Sequence, residues 1–395
     1  MSDSLPELRL MPGRHKRARA GHPWIFSNEI AMTAAAKGLI PGTVVRFAED
    51  SGAPLGIGFF NPHSLIAGRL VTRDATPVDG TLIEARLRRA LDLRTRLCDS
   101  PYYRLVHAEA DGLPGLIVDR YGDVAVVELN AAGMELMRAE VLAALAATIA
   151  PAAVLLKNDG SARTLEGLKG EIGWTGPTPP GPVEVVENGV RFLADLAGGQ
   201  KTGWFYDHRP NRALVAGFAK GSRVLDLFSY LGGFGIQAAA AGAADVVMVD
   251  RSQPALDLAA ESAALSGVAE RCSFIRAYAF DEMEKRAGAG ERFDVVVADP
   301  PAFVKSRKDL AAGARGYRKM VRLAAPLVAP GGLLFAASCS HHVDAALFAE
   351  QVRRGLADAR RGGRILYAGG AGPDHPVHCF LPETAYLKYQ LLQVD

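Results

Sequence analysis

Short apolar runs alternate with Ala-rich segments of helical period through the second half of the chain. The run at 224–227 leads into a Gly-Gly turn and an Ala-rich helix, and a second run at 246–249 ends in Asp250. Further strands are predicted at 272–276, 293–298, 332–338, 364–368 and 386–394, with helices at 253–266, 314–328 and 343–357. Strands interleaved with helices in this way predict a Rossmann-like, doubly wound α/β sheet of seven strands.

The first half of the chain has a different pattern. Short β-like segments at 43–48, 54–60 and 65–72, joined by Gly- and Pro-containing turns, predict a small β-barrel of roughly 70 residues. Next come a predicted helix at 79–98, strands at 103–107, 116–119, 124–129 and 154–158, and a helix at 134–149. The Pro/Gly cluster at 176–182 interrupts regular structure. We therefore predict three domains, at 1–73, 75–185 (α+β) and 186–395.

Composition narrows the class of protein. A chain of 395 residues exceeds what one hydrophobic core usually supports, and 49% hydrophobic with 22% charged residues is typical of a globular protein. No apolar run approaches the ~20 residues that cross a bilayer, and the first ten residues lack a signal-peptide core. A cytoplasmic protein without a membrane partner is expected. The four cysteines are far apart, so neither a metal site nor a disulfide framework is predicted.

The turn after the first strand of the sheet indicates a nucleoside-containing cofactor. Gly232 and Gly233 permit a tight turn, and the acid Asp250 at the end of the next strand suits ribose hydroxyls. The spacing does not match GxGxxG, and Asp226 would repel a pyrophosphate but could receive the ammonium of an amino-acid tail. S-adenosylmethionine (SAM) therefore fits better than NAD, and the late pair of strands also favours a methyltransferase sheet.

Two later strand ends carry candidate chemistry. In the segment 299–303, Asp299 beside two prolines and Phe303 can hydrogen-bond an amino group of a planar base and stack on its face. Cys339 follows the strand at 332–338, where a thiolate could add to carbon 6 of cytosine and activate carbon 5; His341 or His342 could assist. The alternatives are a helix-capping role for Asp299 and a buried apolar role for Cys339.

The net charge is only +2, so any nucleic-acid surface must be a local patch. The candidate patch is the basic run of Arg14, Lys16, Arg17 and Arg19, next to Trp24. Clustered cations beside an exposed aromatic residue suit phosphates and a stacked base. A solvated charge run with Trp24 in the core explains the same residues equally well.

Nine segments resemble the large-subunit ribosomal RNA cytosine-5 methyltransferase family. They are in order and span nearly the whole chain: GHPWIFS (21–27), EADGLPGLIVDRYGD (109–123), GQKTGWFYDHRPNR (199–212), DLFSYLGGFG (226–235), DPPAF (299–303), ARGYRK (314–319), PGGLLFAASCS (330–340), DHPVH (374–378) and YLK (386–388). The resemblance implies a class I SAM-dependent enzyme with an N-terminal RNA-binding PUA domain, a central EEHEE-type domain and a C-terminal methyltransferase domain.

The resemblance also implies roles for single residues. Cys339 would be the covalent nucleophile, and Asp299 would reach the target base as well as the cofactor. The cofactor pocket would comprise Asp226, Phe228, Ser229, Gly232, Gly233, Asp250, Arg251, Ser252, Tyr278, Ala279, Asp299, Tyr206 and Arg209. RNA contacts would come from Arg14, Lys16, Arg17, Arg19, Trp24, Phe303 and Lys305. Tyr278 stands where relatives usually carry Asp, and Ala302 where Lys is common, so adenine recognition would use stacking on Tyr278 or a backbone contact.

Three functions are compatible with this sequence. The first is SAM-dependent methylation of carbon 5 of a cytosine in large-subunit rRNA, with that rRNA as partner. The second keeps the cofactor but methylates a purine nitrogen of rRNA, for which no covalent nucleophile is needed. The third is an RNA-binding ribosome-assembly factor with a catalytically weak methyltransferase domain. A homodimer is left open.

Overall fold

The apolar segments near the N-terminus form a five-stranded sheet in the computed structural model, which describes residues 5–395. The sheet has the order β1-β3-β4-β5-β2; β1 pairs parallel with β3, and the other pairs are antiparallel. The predicted third strand starts at Gly68 rather than at residue 65. The elements are β1 (Glu7–Arg9), α1 (Lys16–Arg19), β2 (Trp24–Ile25), α2 (Ala34–Lys37), β3 (Thr43–Ala48), β4 (Pro54–Phe60) and β5 (Gly68–Thr72).

A second five-stranded sheet follows, in the order β10-β9-β8-β7-β6, with only β8 and β9 parallel among its pairs. The predicted single helix at 134–149 is wrong: the chain turns at Met137, where the backbone leaves helical geometry between two shorter helices. Strand β10 was not predicted. The elements are α3 (Gly80–Leu97), β6 (Tyr102–His107), β7 (Leu116–Tyr121), β8 (Val124–Leu129), α4 (Ala132–Leu136), α5 (Arg138–Thr148), β9 (Ala153–Asn158), α6 (Ser161–Leu165) and β10 (Glu171–Thr175).

The remaining elements begin with an antiparallel hairpin and continue with alternating strands and helices. They are β11 (Val183–Glu187), β12 (Val190–Ala194), α7 (Arg209–Ala216), β13 (Arg223–Leu227), α8 (Gly233–Ala240), β14 (Asp245–Asp250), α9 (Gln253–Leu265), β15 (Cys272–Arg276), α10 (Ala279–Gly288), β16 (Phe293–Ala298), α11 (Leu310–Ala324), β17 (Val328–Ser338), α12 (Ala345–Asp358), β18 (Gly363–Gly369) and β19 (Lys388–Val394).

The last seven strands form the predicted seven-stranded sheet, in the order β15-β14-β13-β16-β17-β19-β18. The first five are parallel, and β19 is antiparallel to both of its neighbours. The order reverses direction at β13, so the carboxyl ends of β13 and β16 flank the switch point, where α/β folds bind their ligands. The predicted helix at 314–328 lies instead at Leu310–Ala324, and α10 was not predicted.

The chain divides into two compact units, each defined by the contacts among its own residues. Unit 1 comprises Met1–Gly181, Asp195–Trp204 and Asp374–Pro382 and contains both five-stranded sheets. Unit 2 comprises Pro182–Ala194, Phe205–Pro373 and Glu383–Asp395 and contains the seven-stranded sheet. The three predicted domain boundaries stay a prediction. Across the described part of the chain, no helix combines the length and apolarity that a bilayer span requires.

Candidate active site

The turn between β13 and α8 has an unusual backbone. Phe228, Tyr230 and Gly232 have positive φ values of 61°, 48° and 73°. For residues with a Cβ this conformation costs about 1–3 kcal/mol, and such strain is concentrated at functional sites. Hydrogen bonds hold the turn, because Ser229 N donates to Val249 O (3.1 Å) and Tyr230 N donates to Asp250 Oδ2 (2.9 Å). The turn is thus fixed against the end of β14.

Both glycines of the turn are required for packing. A Cβ on Gly232 would lie 2.8 Å from Met248 Sδ, and one on Gly233 would lie 2.5 Å from Arg212 Nε. Arg212 is buried, and its Nη1 donates to Glu187 Oε1 at 2.7 Å. Gly233 therefore lets a buried cation approach the N-terminus of α8, beside the predicted cofactor turn.

Asp226 is the most perturbed acid of the site. Its side chain is buried, and Gly235 N donates to Oδ2 at 2.9 Å. Burial raises the pKa of Asp226 to about 7, and the negative charges of Asp299 and Asp250 add to that rise. Three carboxylates thus share one region of unit 2. A cationic ligand would relieve their repulsion, as the sequence analysis predicted for an ammonium group.

Asp250 organises the end of β14. Its Oδ2 accepts from Tyr230 N, and its Oδ1 accepts from Ser252 N at 2.9 Å. Each carboxylate oxygen keeps acceptor capacity for a ribose hydroxyl, since an ionised carboxylate offers about four lone-pair sites. Ser252 caps α9 by accepting from Ala255 N, whereas Arg251 is exposed. The predicted pair Asp250 and Ser252 therefore has a clear local structural role.

The residues predicted to surround the adenine differ in exposure. Tyr278 is 67% exposed immediately before α10, so its ring is accessible for stacking, while Ala279 is buried in the core. Phe228, Phe280 and Phe303 form a row of aromatic contacts, with ring centroids 6.1 Å and 6.0 Å apart along it. This row runs from the cofactor turn to the Asp-Pro-Pro segment.

Tyr206 and Arg209 lie at the start of α7. Tyr206 is buried, and the Arg209 guanidinium lies 5.4 Å from the centre of its ring. Phe205, just before them, packs edge-on against Tyr230 of the turn, with centroids 5.4 Å apart. The predicted contact of this segment with the carboxylate of the cofactor stays a prediction.

The residues present fit SAM. Ser229 Oγ is buried in the turn, and no described residue supplies a hydrogen-bond partner for it, as expected for an atom that a ligand satisfies. The acids Asp226 and Asp250 would hold the ammonium and the ribose, respectively. The described residues contain no group of three or more His, Cys, Asp or Glu side chains placed to hold a metal ion.

Asp299 follows β16 and meets His208. His208 Nε2 lies 3.2 Å from Asp299 Oδ2, and Asn211 Nδ2 lies 3.1 Å from His208 Nδ1. If the amide donates to Nδ1, the ring proton is on Nε2 and points to the carboxylate. His208 is buried, whereas a quarter of the Asp299 side chain is exposed. Asp299 is thus oriented on one side and accessible on the other.

Cys339 lies beside the Asp-Pro-Pro segment. Strands β16 and β17 are parallel neighbours, so Asp299 and Cys339 follow adjacent strand ends. Cys339 Sγ is 3.9 Å from Pro300 O, and the residue is partly exposed. Ser340 Oγ accepts a hydrogen bond from Val304 N at 3.1 Å and lies 2.7 Å from Tyr317 Oη. These bonds connect the segment after Asp299 to the residue after Cys339.

Lys388 is a residue of this region that the sequence analysis did not select. It is buried, pairs across β17 and β19 with Ser338, and donates to Ser340 O (2.5 Å) and Tyr386 O (2.8 Å). Burial lowers the pKa of Lys388 to about 8, while the charge of a Cys339 thiolate acts in the opposite direction. Lys388 is thus a buried cation whose charge interacts with that of Cys339, and the predicted assistance from His341 or His342, which are both exposed, stays a prediction.

The predicted RNA-binding residues lie at several places. Arg14 precedes α1, which carries Lys16, Arg17 and Arg19; Arg17 pairs with Glu29 (3.1 Å), and Arg19 pairs with Glu49. Trp24 is partly buried, between the exposed and core positions that the sequence left open, and Nε1 donates to Glu109 Oε1 at 2.7 Å because the indole needs a partner. In unit 2, Lys305 is exposed, and Phe303 packs against Tyr317 with ring centroids 4.8 Å apart and the ring planes tilted by 44°.

Sequence reasoning missed His208, Arg212 and Lys388 as site residues. His208 and Arg212 lie in the segment 199–212 and Lys388 in the segment 386–388, so the resemblance marked their neighbourhoods. Only the tertiary structure shows that His208 meets Asp299 and that Lys388 meets the residue after Cys339.

Comparison with known proteins identifies the class. A family model described as S-adenosylmethionine-dependent methyltransferase matches residues 104–360, and a model of the PUA-like domain matches residues 8–73. The chain belongs to the SAM-dependent methyltransferase family and begins with a PUA-like domain. The predicted fold class and the predicted cofactor, SAM, are confirmed.

Named relatives give finer detail. A protein from Aeromonas salmonicida (strain A449), Ribosomal RNA large subunit methyltransferase I, is 39% identical over 385 residues, which cover 96% of this chain and 97% of the relative. The protein of the same name from Klebsiella pneumoniae (strain 342) is 36% identical over 396 residues and 98% of each chain. The structure of SMU.776 complexed with SAH covers 98% of this chain and 100% of its own with a TM-score of 0.84; at 21% identity it shows the shared fold.

Proposed function

We propose that this protein transfers a methyl group from SAM to carbon 5 of a cytosine in large-subunit rRNA, through a covalent bond to Cys339. The names of relatives at 36–39% identity over nearly the whole chain support rRNA as the substrate. The observation that carries the choice of atom is the position of Cys339, partly exposed at the end of β17 and 3.9 Å from the carbonyl of Pro300.

Carbon 5 of cytosine is a poor nucleophile, so the enzyme must first activate it with a nucleophile of its own. In the proposed reaction the Cys339 thiolate forms a bond to carbon 6, and the electron pair of the C5–C6 double bond becomes available at carbon 5. SAM supplies the electrophilic methyl group that carbon 5 accepts. A base or water then removes the carbon 5 proton, the double bond re-forms, and the Sγ–C6 bond breaks to release the thiolate.

Each neighbouring residue has a role in this scheme. Lys388, with its buried ammonium, favours the thiolate over the thiol at Cys339. Asp299 accepts a hydrogen bond from the cytosine amino group, and His208 holds that carboxylate from its other side at 3.2 Å. The cytosine must leave its stack before it can reach these groups, which costs a few kcal/mol that contacts in the pocket offset.

The test is methyl transfer from labelled SAM to unmodified large-subunit rRNA, followed by digestion and identification of the methylated nucleoside. The wild type should give 5-methylcytidine, and Cys339→Ala should give none. Cys272→Ala is the matched control, because Cys272 also lies in unit 2 but burial raises its thiol pKa to about 11. It should keep full activity.

A second readout captures the intermediate. RNA containing 5-fluorocytidine has no carbon 5 proton to lose, so the Sγ–C6 bond should persist and give a denaturant-resistant protein–RNA complex that needs both SAM and Cys339. A methylated purine from wild type and Cys339→Ala alike would overturn the choice of atom, and would favour methylation of a purine nitrogen.

A further inference from the structure

Three of the segments that carry the family resemblance lie together in unit 1. The proposed methyl transfer does not use the place where they meet. The segments 21–27, 109–123 and 374–378 line one cavity of about 100 Å³. That volume is several times the ~10–15 Å³ that a water molecule needs and about two-thirds of the ~150 Å³ cavity that holds a benzene ring. Its wall includes Gly21, Pro23, Arg73, Glu109, Pro114 and His378.

Two glycines build the wall. Gly21 has φ +117°, and a Cβ there would lie 2.6 Å from the Phe380 ring. Gly112 has φ +73°, and Arg86 donates to its carbonyl while also donating to Val71 O at 2.7 Å. The segments around the cavity are therefore held together by close backbone packing and buried hydrogen bonds.

Glu109 supplies an acceptor at the cavity. Its side chain is only 5% exposed, and Oε1 accepts hydrogen bonds from Trp24 Nε1 and Arg69 Nη1, both at 2.7 Å. Glu109 belongs to the cavity wall, and its Oε2 keeps acceptor capacity, so an N–H group of a ligand in the cavity could donate to it.

Donors lie on the other side. Arg73 Nη1 donates to Ala18 O (2.6 Å) and Nη2 to His22 O (3.4 Å), which leaves further N–H groups on an exposed side chain. His378 Nδ1 accepts from Phe380 N (3.2 Å), so the neutral ring carries its proton on Nε2. Ala18 belongs to α1, so Arg73 connects the cavity wall to the basic run at 14–19.

We infer that this cavity receives the amino-bearing edge of the base of one unpaired nucleotide of the RNA substrate, with the exocyclic amino group donating to Glu109 Oε2 and a phosphate oxygen accepting from Arg73. The inference rests on the proposed function only in taking RNA as the substrate. The cavity has room for the edge of a planar base and not for the whole base, and neighbouring phosphates can continue along the basic residues of α1. It would fix the register of the RNA on unit 1, independently of the methylated base.

The experiment compares two labelled RNA decamers that differ in one group. One consists of adenosine and the other of purine riboside, which lacks only the exocyclic amino group; binding is followed by fluorescence anisotropy without SAM. The wild type should bind the adenosine decamer about tenfold more tightly, the value of one hydrogen bond to a charged group. Because Asp299 could also accept from an adenine amino group, the difference is assigned to the cavity only through its dependence on Glu109.

Three variants locate the effect. Glu109→Gln keeps an oxygen that accepts from Trp24 and Arg69 and replaces Oε2 with an NH₂ donor. The preference for adenosine over purine riboside should therefore fall below twofold. The variant should still fold, because Arg69 keeps its ion pair with Glu166 at 3.0 Å. Arg73→Met should weaken both decamers equally, about threefold to tenfold, and reduce the salt slope by about one. Arg46→Met, an exposed arginine of β3 in the same sheet, is the matched control and should change neither.

Equal wild-type affinity for both decamers, or a preference that survives Glu109→Gln, would overturn the inference. If adenosine monophosphate binds as tightly as the decamer with the same dependence on Glu109, the site holds a free nucleotide, and the assignment to RNA is wrong. The product assay with Cys339 is separate: a preference without 5-methylcytidine formation would refute only the proposed function, and the reverse result would refute only this inference.

Discussion

Binding of SAM should release a proton from Asp226. Burial and the charges of Asp299 and Asp250 raise the pKa of this carboxyl from 3.8 to about 7. If the ammonium of SAM binds Asp226 as predicted, it binds the ionised form, so the cofactor must displace any proton present. With a pKa of about 7, roughly nine-tenths of the molecules carry that proton at pH 6 and about a quarter at pH 7.5.

The size of the pH effect on stability and on SAM binding follows from the linkage of each process to protonation of Asp226. The folded-state pKa lies above the unfolded value, so the unfolded chain loses this proton first as pH rises, and stability falls between pH 3.8 and about 7. The rise corresponds to about 4 kcal/mol at ~1.4 kcal/mol per pH unit. For binding, the dissociation constant of SAM should fall about tenfold per pH unit below pH 7 and level off above it.

Titration calorimetry in buffers of different ionisation enthalpy measures the proton directly. We expect about 0.9 proton released at pH 6 and about 0.2 at pH 7.5 for the wild type. Asp226→Asn should release none and should bind SAM more weakly at pH 7.5, since the amide carries no charge. Asp257→Asn, an exposed acid on α9, is the matched control. No proton release from the wild type at pH 6, or equal release from Asp226→Asn, would refute the reasoning.

Three further predictions concern neighbouring residues. Lys388→Met should raise the thiol pKa of Cys339 and slow its alkylation at pH 7.5 several-fold, whereas Lys388→Arg should restore the rate; peptide mass spectrometry after iodoacetamide treatment checks this, and an unchanged rate would contradict it. Asp250→Ala should weaken SAM binding at least tenfold in calorimetry, because the turn loses the acceptor for Tyr230 N and a partner for ribose. His208→Gln should lower kcat and leave the affinity for SAM unchanged; a loss of affinity instead would show that His208 acts through the cofactor.

The sheet could be predicted because its signals are local. Strands β13, β14 and β16 are apolar runs bounded by glycine or charged residues, and each agrees with its predicted position within one residue. Helix α9 begins after Ser252, an N-cap that the sequence displays, and ends before Gly267. These elements carry their own boundaries in the chain.

Helices α10 and α11 were misjudged because tertiary contacts override their local signals. The first turn of α11 contains Gly313, a poor helix former, and a Cβ there would lie only 2.4 Å from Val304 Cγ2. Helix α10 is rich in charged residues, and two of its buried positions are the ion pair Glu282 and Arg286 at 2.9 Å. Such pairs bury a face that hydrophobic periodicity does not display.

The same distinction between local signals and tertiary contacts applies to the residues of the candidate site. Asp226, Asp250, Asp299 and Cys339 could be selected because each stands at a strand end, and parallel strands bring those ends to one edge. His208 and Lys388 could not, since His208 comes from the segment before α7 and Lys388 from an antiparallel strand added after β17. Their roles depend on which strands become neighbours, and that order is not written in any local pattern.

If Asp299 accepts from the target base as proposed, the cofactor and the target base should bind cooperatively. Asp299 raises the pKa of Asp226, because the two carboxylates repel each other. A cation at Asp226 reduces that repulsion, and an amino group donating to Asp299 withdraws charge from the same region. Each ligand therefore lowers a cost that the other would otherwise meet. Because such coupling is reciprocal, the factor by which RNA tightens SAM binding must equal the factor by which SAM tightens RNA binding.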